Sequence, residues 1–217
     1  MKKLFLTLIM IAVCVTASAQ ITHTANGAVD KNAEQILTKA AQKFAGEGVS
    51  FTVTMINKNA EKRETARQKA DVLYSRGRYR VSFGDNIIYC DGNATWHLNK
   101  EVNEVTVNKM SESEDDLMNP AAILSNYNKN FKVKFIRQEA NGNAIIDLTP
   151  KKGKSYYKIR VIVNANTGVL QRMEMHNYDG SCGEYIVSNF KSGVKVSDAD
   201  FVFPGNKYPN VEVIDMR

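Results

Sequence analysis

Residues 87–107, IIYCDGNATWHLNKEVNEVTV, hold two sharp turns, three short strand-like runs and the only tryptophan of the 217-residue chain. Asp91-Gly92 is a two-residue hairpin signal, because both central positions of such a turn favour residues that tolerate positive φ. With those two as the loop, Cys90 faces Asn93. Ile87, Tyr89, Ala94, Trp96 and Leu98 then share one face, and Asn86, Ile88, Cys90, Thr95 and His97 share the other. A loop at Gly92-Asn93 gives the same division. A second turn over residues 100–103 adds Val105 and Val107 to the Trp96 face. One side is apolar and the other largely polar, the mark of half-buried antiparallel strands. Alternation alone leaves open whether Trp96 plugs a packed core or lines a cavity.

Outward from this stretch the period-two pattern persists. Val49, Phe51, Val53 and Met55 oppose Ser50, Thr52 and Thr54; Tyr79, Val81 and Phe83 oppose Arg78, Arg80 and Ser82. Phe131, Val133 and Phe135 follow, then Ala144, Ile146 and Leu148, then Tyr157, Ile159, Val161 and Val163. After a turn at Asn166-Thr167-Gly168 come Met173 and Met175, and past Asp179-Gly180 come Tyr185 and Val187. One helix precedes the strands: Asp30 as cap, Glu34 in the first turn, Ala33, Ile36, Leu37, Ala40, Ala41 and Phe44 at helical spacing, and Gly46 and Gly48 as its end. Residues 110–116 read as an acidic solvated loop. Residues 119–127 form a helical island with Pro120 at its first position.

The N-terminus and the charge balance set the compartment. Met1-Lys2-Lys3, an apolar run over residues 4–15 and Ala17-Ser18-Ala19 before Gln20 spell a secretory signal peptide, residues 1–19. A lipoprotein cleavage ahead of Cys14 would want a small residue where Val13 stands, so cleavage after Ala19 is the better site. Residues 20–217 then form a single exported domain. Without Lys2 and Lys3 the chain has 27 basic and 23 acidic side chains, an ordinary surface balance with no concentrated stripe for nucleic acid. Cys90 and Cys182 survive cleavage and could pair in an oxidising compartment or lie apart as small buried hydrophobes.

Area arithmetic turns the pattern into an architecture. About ten strands at ~4.8 Å spacing and ~20 Å length present roughly 1,000 Å² on one face. Two helices of ~15 and ~8 residues cover about 350 Å² of it. The remaining apolar face must curl onto itself, so the fold is mainly β (α+β): an incomplete antiparallel β-barrel of about 10–11 strands with an N-terminal helix and short lid helices.

Catalytic signatures are missing. The histidines are His23, His97 and His176, and there is no His-Glu-x-x-His pair, Gly-x-Ser-x-Gly elbow or Gly-rich phosphate loop. Cys90 and His97 share a face but stand several residues apart along the hairpin. Glu112, Glu114, Asp115 and Asp116 lack the spacing of a calcium loop. Neither an enzyme, nor a metal, nor a cofactor is expected.

Taken in order, the N-terminal helix, VSFTVTMIN, LYSRGRYRVSF, IIYCDGNATWHLNKEVNEVTV, NPAAILSNY, FKVKF and the closing FVFPGNKYPNVEVIDMR resemble the periplasmic lipoprotein carriers of the LolA type. The resemblance implies an open barrel with helices as a lid over an apolar cavity. Its function would be to take acylated lipoproteins from an inner-membrane ABC transporter, ferry them across the periplasm as a monomer and release them at the outer membrane, where a receptor lipoprotein could accept them. The wall would come from Phe51, Val53, Met55, Leu73, Tyr79, Val81, Phe83, Tyr89, Trp96, Leu98, Met173 and Met175; the lid from Leu37, Phe44, Ile123, Leu124 and Tyr127. The family also uses an arginine after the third strand to latch the lid. Arg76 is the closest equivalent and Arg78 the second, with Gly77 where the family typically has proline. Two rival readings share the scaffold: an extracytoplasmic sensing domain for lipid or lipoprotein, and a carrier of free lipid.

Overall fold

The structure, a computed structural model, describes residues 31–46, 48–110, 123–124 and 126–217. The signal peptide, the Asp30 cap, the acidic run at 112–116 and the Pro120 start of the second helix lie outside those residues. Helix α1 (Lys31–Ala45) buries Ala33, Leu37, Ala40 and Phe44, one stripe at helical spacing. Glu34 in its first turn and Lys43 in its last both complement the helix dipole.

Six strands follow: β1 (Gly48–Lys58), β2 (Glu64–Ser75), β3 (Arg78–Phe83), β4 (Asn86–Cys90), β5 (Ala94–Asn99) and β6 (Glu104–Lys109). Ile123 and Leu124 are helical, and a single turn, α2 (Tyr127–Asn130), leads into β7 (Phe131–Gln138). Then come β8 (Asn143–Pro150), β9 (Tyr156–Asn164), β10 (Leu170–Asn177), β11 (Cys182–Val194) and β12 (Glu212–Asp215). All belong to one 12-stranded sheet in the order β12-β6-β5-β4-β3-β2-β1-β11-β10-β9-β8-β7, open at β7 and β12. Every pairing is antiparallel except that of β12 with β6.

The count exceeds the expected ten or eleven for a physical reason. The first half of β2, Glu64 to Lys69, is exposed at every residue, so no alternation marks it. Pairing along nearly the whole of β1 holds it in the sheet. The β2–β3 turn is the two residues Arg76-Gly77, with φ of 50° and 85°, both left-handed as the tightest hairpins demand. The β4–β5 hairpin takes the register of the Gly92-Asn93 loop: Tyr89 lies opposite Trp96 and Cys90 opposite Thr95. Asp91 fixes it by accepting hydrogen bonds at Oδ1 from the amides of Asn93 (2.8 Å) and Ala94 (2.9 Å).

The main core lies on one face of β1–β3 and β7–β11, beneath α1. Phe51, Val81, Ile146, Leu148, Val161 and Met173 belong to it. The chain after β11 crosses the opposite face of β3–β6 before ending as β12. A capping box at Ser197, whose amide donates to Asp200 Oδ2 (2.8 Å), folds the start of this crossing. Its later anchor is Asn103, whose Nδ2 donates to the Asn210 carbonyl (2.6 Å).

Candidate functional site: the concave face

The face carrying the main core is built from cross-strand rows. One runs Met55, Tyr185, Met173, Val161, Ile146, Phe135 across β1, β11, β10, β9, β8 and β7. The next runs Met175, Ile159, Leu148, Val133. Beneath α1 the surface is dry and aromatic: Phe44 meets Phe51, Tyr74 and Phe190 edge-on, with centroids 5.9–6.1 Å apart. Ile123, Leu124 and Tyr127 join the same cluster. Tyr127 is tied to α1 through a hydroxyl contact with Thr38 Oγ1 (3.1 Å) and donates weakly to the Glu34 carbonyl (3.4 Å). Away from the helix, Met55, Phe83, Ile88, Met175, Tyr185 and Phe135 remain only half-buried. Two thioethers and several rings thus offer a deformable apolar surface beyond what α1 covers. Burial raises the pKa values of the Tyr185 and Tyr74 hydroxyls, which keeps both neutral.

Eight of the expected wall residues share this face: Phe51, Val53, Met55, Tyr79, Val81, Phe83, Met173 and Met175. All five expected lid residues, Leu37, Phe44, Ile123, Leu124 and Tyr127, pack against it. Leu73, Tyr89, Trp96 and Leu98 do not share it. The row Val81–Ile88–His97–Thr106 continues the concave face, so its alternates, Arg80–Tyr89–Trp96–Val107, look to the opposite side. Leu73 pairs with Arg80 and follows it. The hairpin's division into faces is the expected one, but its greasy side points away from the main core. What covers it is the crossing segment: Phe203 meets the Tyr89 ring at 6.2 Å and stacks on Tyr208, and Phe201 is fully buried.

The arginines serve the same cover. Arg78 pairs with Asp198 and lies 4.8 Å over the Phe201 ring, while Arg80 reaches Asp200 at 3.7 Å. Hydrogen bonds from Ser197 and the nearby Arg80 lower the Asp200 pKa. Among the described residues Arg78 is engaged by the C-terminal segment. Arg76 is an exposed turn residue. Cys90 and Cys182 form no disulfide. Four strand steps separate β4 from β11, about 19 Å, far beyond disulfide reach.

Tyr185, Ile88, Phe135 and Phe190 belong to the concave surface and are not among the expected wall residues. Tyr185 and Phe135 carry the same alternation as their neighbours, and only the sheet order reveals that their rows meet Met55. Among the described residues no three of His, Cys, Asp and Glu are arranged to hold a metal ion, and no helix is long and apolar enough to cross a membrane.

The chain is similar to known proteins. The family profile "Outer membrane lipoprotein carrier protein LolA" matches residues 82–204, more than half of the chain. An uncharacterized conserved protein from Thermus thermophilus superposes with a TM-score of 0.56 at 13% identity, over 84% of this chain and 98% of that one. A LolA superfamily protein from Nitrosomonas europaea aligns over 79% of this chain and 97% of its own, with 15% identity and a TM-score of 0.43. A putative outer membrane lipoprotein-sorting protein domain from Vibrio parahaemolyticus covers 82% and 98%, with 14% identity and a TM-score of 0.44. No curated protein matches the sequence.

Proposed function

The chain belongs to the outer membrane lipoprotein carrier family LolA, and on that premise we propose that it is a periplasmic carrier that holds the acyl chains of lipoproteins against its concave face. The observation that carries this reading is the half-buried apolar surface of Met55, Phe83, Ile88, Met175, Tyr185 and Phe135 on a sheet that does not close. Transferring a methylene out of water is favourable by about 0.8 kcal/mol, so a chain of about 14 carbons gains roughly 11 kcal/mol before ordering terms. That gain explains why such cargo needs an escort across an aqueous gap. It also explains why the escort needs no covalent chemistry. Release requires only a competing apolar environment, and an open sheet under a short helix lets the chain leave sideways. The donor would be an inner-membrane transporter and the acceptor the outer membrane or a receptor in it.

Native mass spectrometry of the protein after gentle extraction from its host tests the reading. Acylated peptides bound in stoichiometric amount support it; an empty protein, or one loaded with phospholipid alone, removes it.

A further inference from the structure

The concave face changes character at β4. From β7 to β3 its strand residues are mainly apolar, but over β4–β6 the positions that continue its rows include Asn86, Thr95, His97, Asn99, Thr106 and Glu104, beside Ile88 and Cys90. Ile88 packs against the main core and His97 lies directly across from it, so the polar leaf adjoins the greasy one without a break. The charges of the sheet are segregated as well. Lys134 and Arg160 flank Asp147 on the convex side, Arg172 stands there between Ile162 and Ile186, and Arg78 and Arg80 hold the crossing segment on the same side. No lysine or arginine of the described strands continues a row of the concave face, and on its polar leaf the one charged side chain is Glu104.

We infer that this leaf receives the uncharged head of an acylated cargo, its ester and amide groups, and turns away anionic lipids. The inference rests on the carrier reading above and adds which cargo the face selects. Asparagine, threonine and neutral imidazole each offer both a donor and an acceptor, which matches carbonyl oxygens and amide N–H groups side by side. A carboxylate or phosphate leaving water for the same place would lose hydration and gain no cation from the described strands, and Glu104 would repel it. His97 does not supply the missing charge. Its ring is exposed, and desolvation by the surrounding sheet lowers its pKa, which favours the neutral form.

The test is displacement of the uncharged probe N-phenyl-1-naphthylamine from the purified protein at pH 8 by two ligands of equal chain length, N-myristoyl-glycinamide and myristate. The amide is expected to bind about tenfold or more tighter than the carboxylate. His97→Lys, which places a cation on the leaf, is expected to close that gap by strengthening myristate binding. Thr106→Lys, one strand over, serves as the second reporter if the first variant fails to fold. Equal affinity of the two ligands for the unaltered protein overturns the inference and leaves the carrier reading in place. So does a ratio that neither lysine changes. Failure of both ligands to displace the probe removes the carrier reading along with it.

Discussion

On β8–β10 the residues Ile146, Val161 and Met173 look into the main core, and their neighbours Asp147, Arg160 and Glu174 look out. On β4–β6 the set that packs is Tyr89, Leu98, Val105 and Val107, and it looks the other way, towards Phe203 and the crossing segment. Both wings obey the same alternation and belong to the same sheet. What differs is the covering element: α1 on the concave side for one wing, the C-terminal segment on the convex side for the other. An apolar face of a sheet is thus defined by what lies over it, and a second cover frees part of the concave surface to be polar.

The strongest way to break this comparison is to remove the second cover's anchor. Phe201→Ala deletes a fully buried ring that sits beneath the Arg78 guanidinium. It is expected to lower unfolding free energy by about 3–5 kcal/mol in urea denaturation. A loss near zero would mean that the β4–β6 wing does not depend on its cover. Gly48→Ala probes the place where the crossing segment leaves the sheet, because an added Cβ there would stand 2.5 Å from the Val194 carbonyl oxygen and 2.6 Å from Val196 Cγ1. Backbone must move to admit it, so a loss of about 1–3 kcal/mol is expected in the same measurement.

Trp96 sharpens the comparison optically, since it is the only tryptophan. An acyl ligand brominated along its chain is expected to leave Trp96 emission unquenched, because that ring lies on the convex side. In a Trp96→Phe background, Phe83→Trp moves the reporter to the concave face, and the same ligand is expected to quench it. Quenching of Trp96 itself would place the ligand on the wrong side of the sheet for the proposal.

The smallest effect is at the end of β12. Hydrogen bonds from Arg217 lower the Asp215 carboxyl to about 2. A carboxyl with a depressed folded pKa contributes stability that is fully present above its ordinary value of 3.8 and is lost as pH falls through about 2. A carbon-detected NMR titration is expected to find that midpoint, and Arg217→Gln to return it towards the ordinary value.

Much of the fold is legible in the sequence. The period-two runs, the α1 stripe and the Asp91-Gly92-Asn93 turn each carry a local physical cause and each forms, except that a register shift between β9 and β10 brings Tyr156 into the core in place of Tyr157. The division of the Trp96 hairpin into faces also follows from side-chain period alone. Which face turns inward does not, because the deciding contacts join Tyr89 to Phe203, residues more than a hundred positions apart. The exposed half of β2 is equally silent: its strand character comes from pairing with β1, not from burial. For the same reason Arg78 is a latch candidate only through the family resemblance, and nothing beside it in the sequence points to Asp198 and Phe201, its partners near the other end of the chain.

The late arrival of those partners has a consequence for biogenesis. As the chain emerges from its N-terminus, β3–β6 are complete by residue 109, yet the strip that shields their oily side begins near Ser197 and closes only when β12 docks on β6. Through that interval the nascent molecule exposes a sticky flank that its finished form hides. A stop codon just upstream of Phe201 would make the interval permanent, yielding a chain with nearly every strand in hand and a standing tendency to clump.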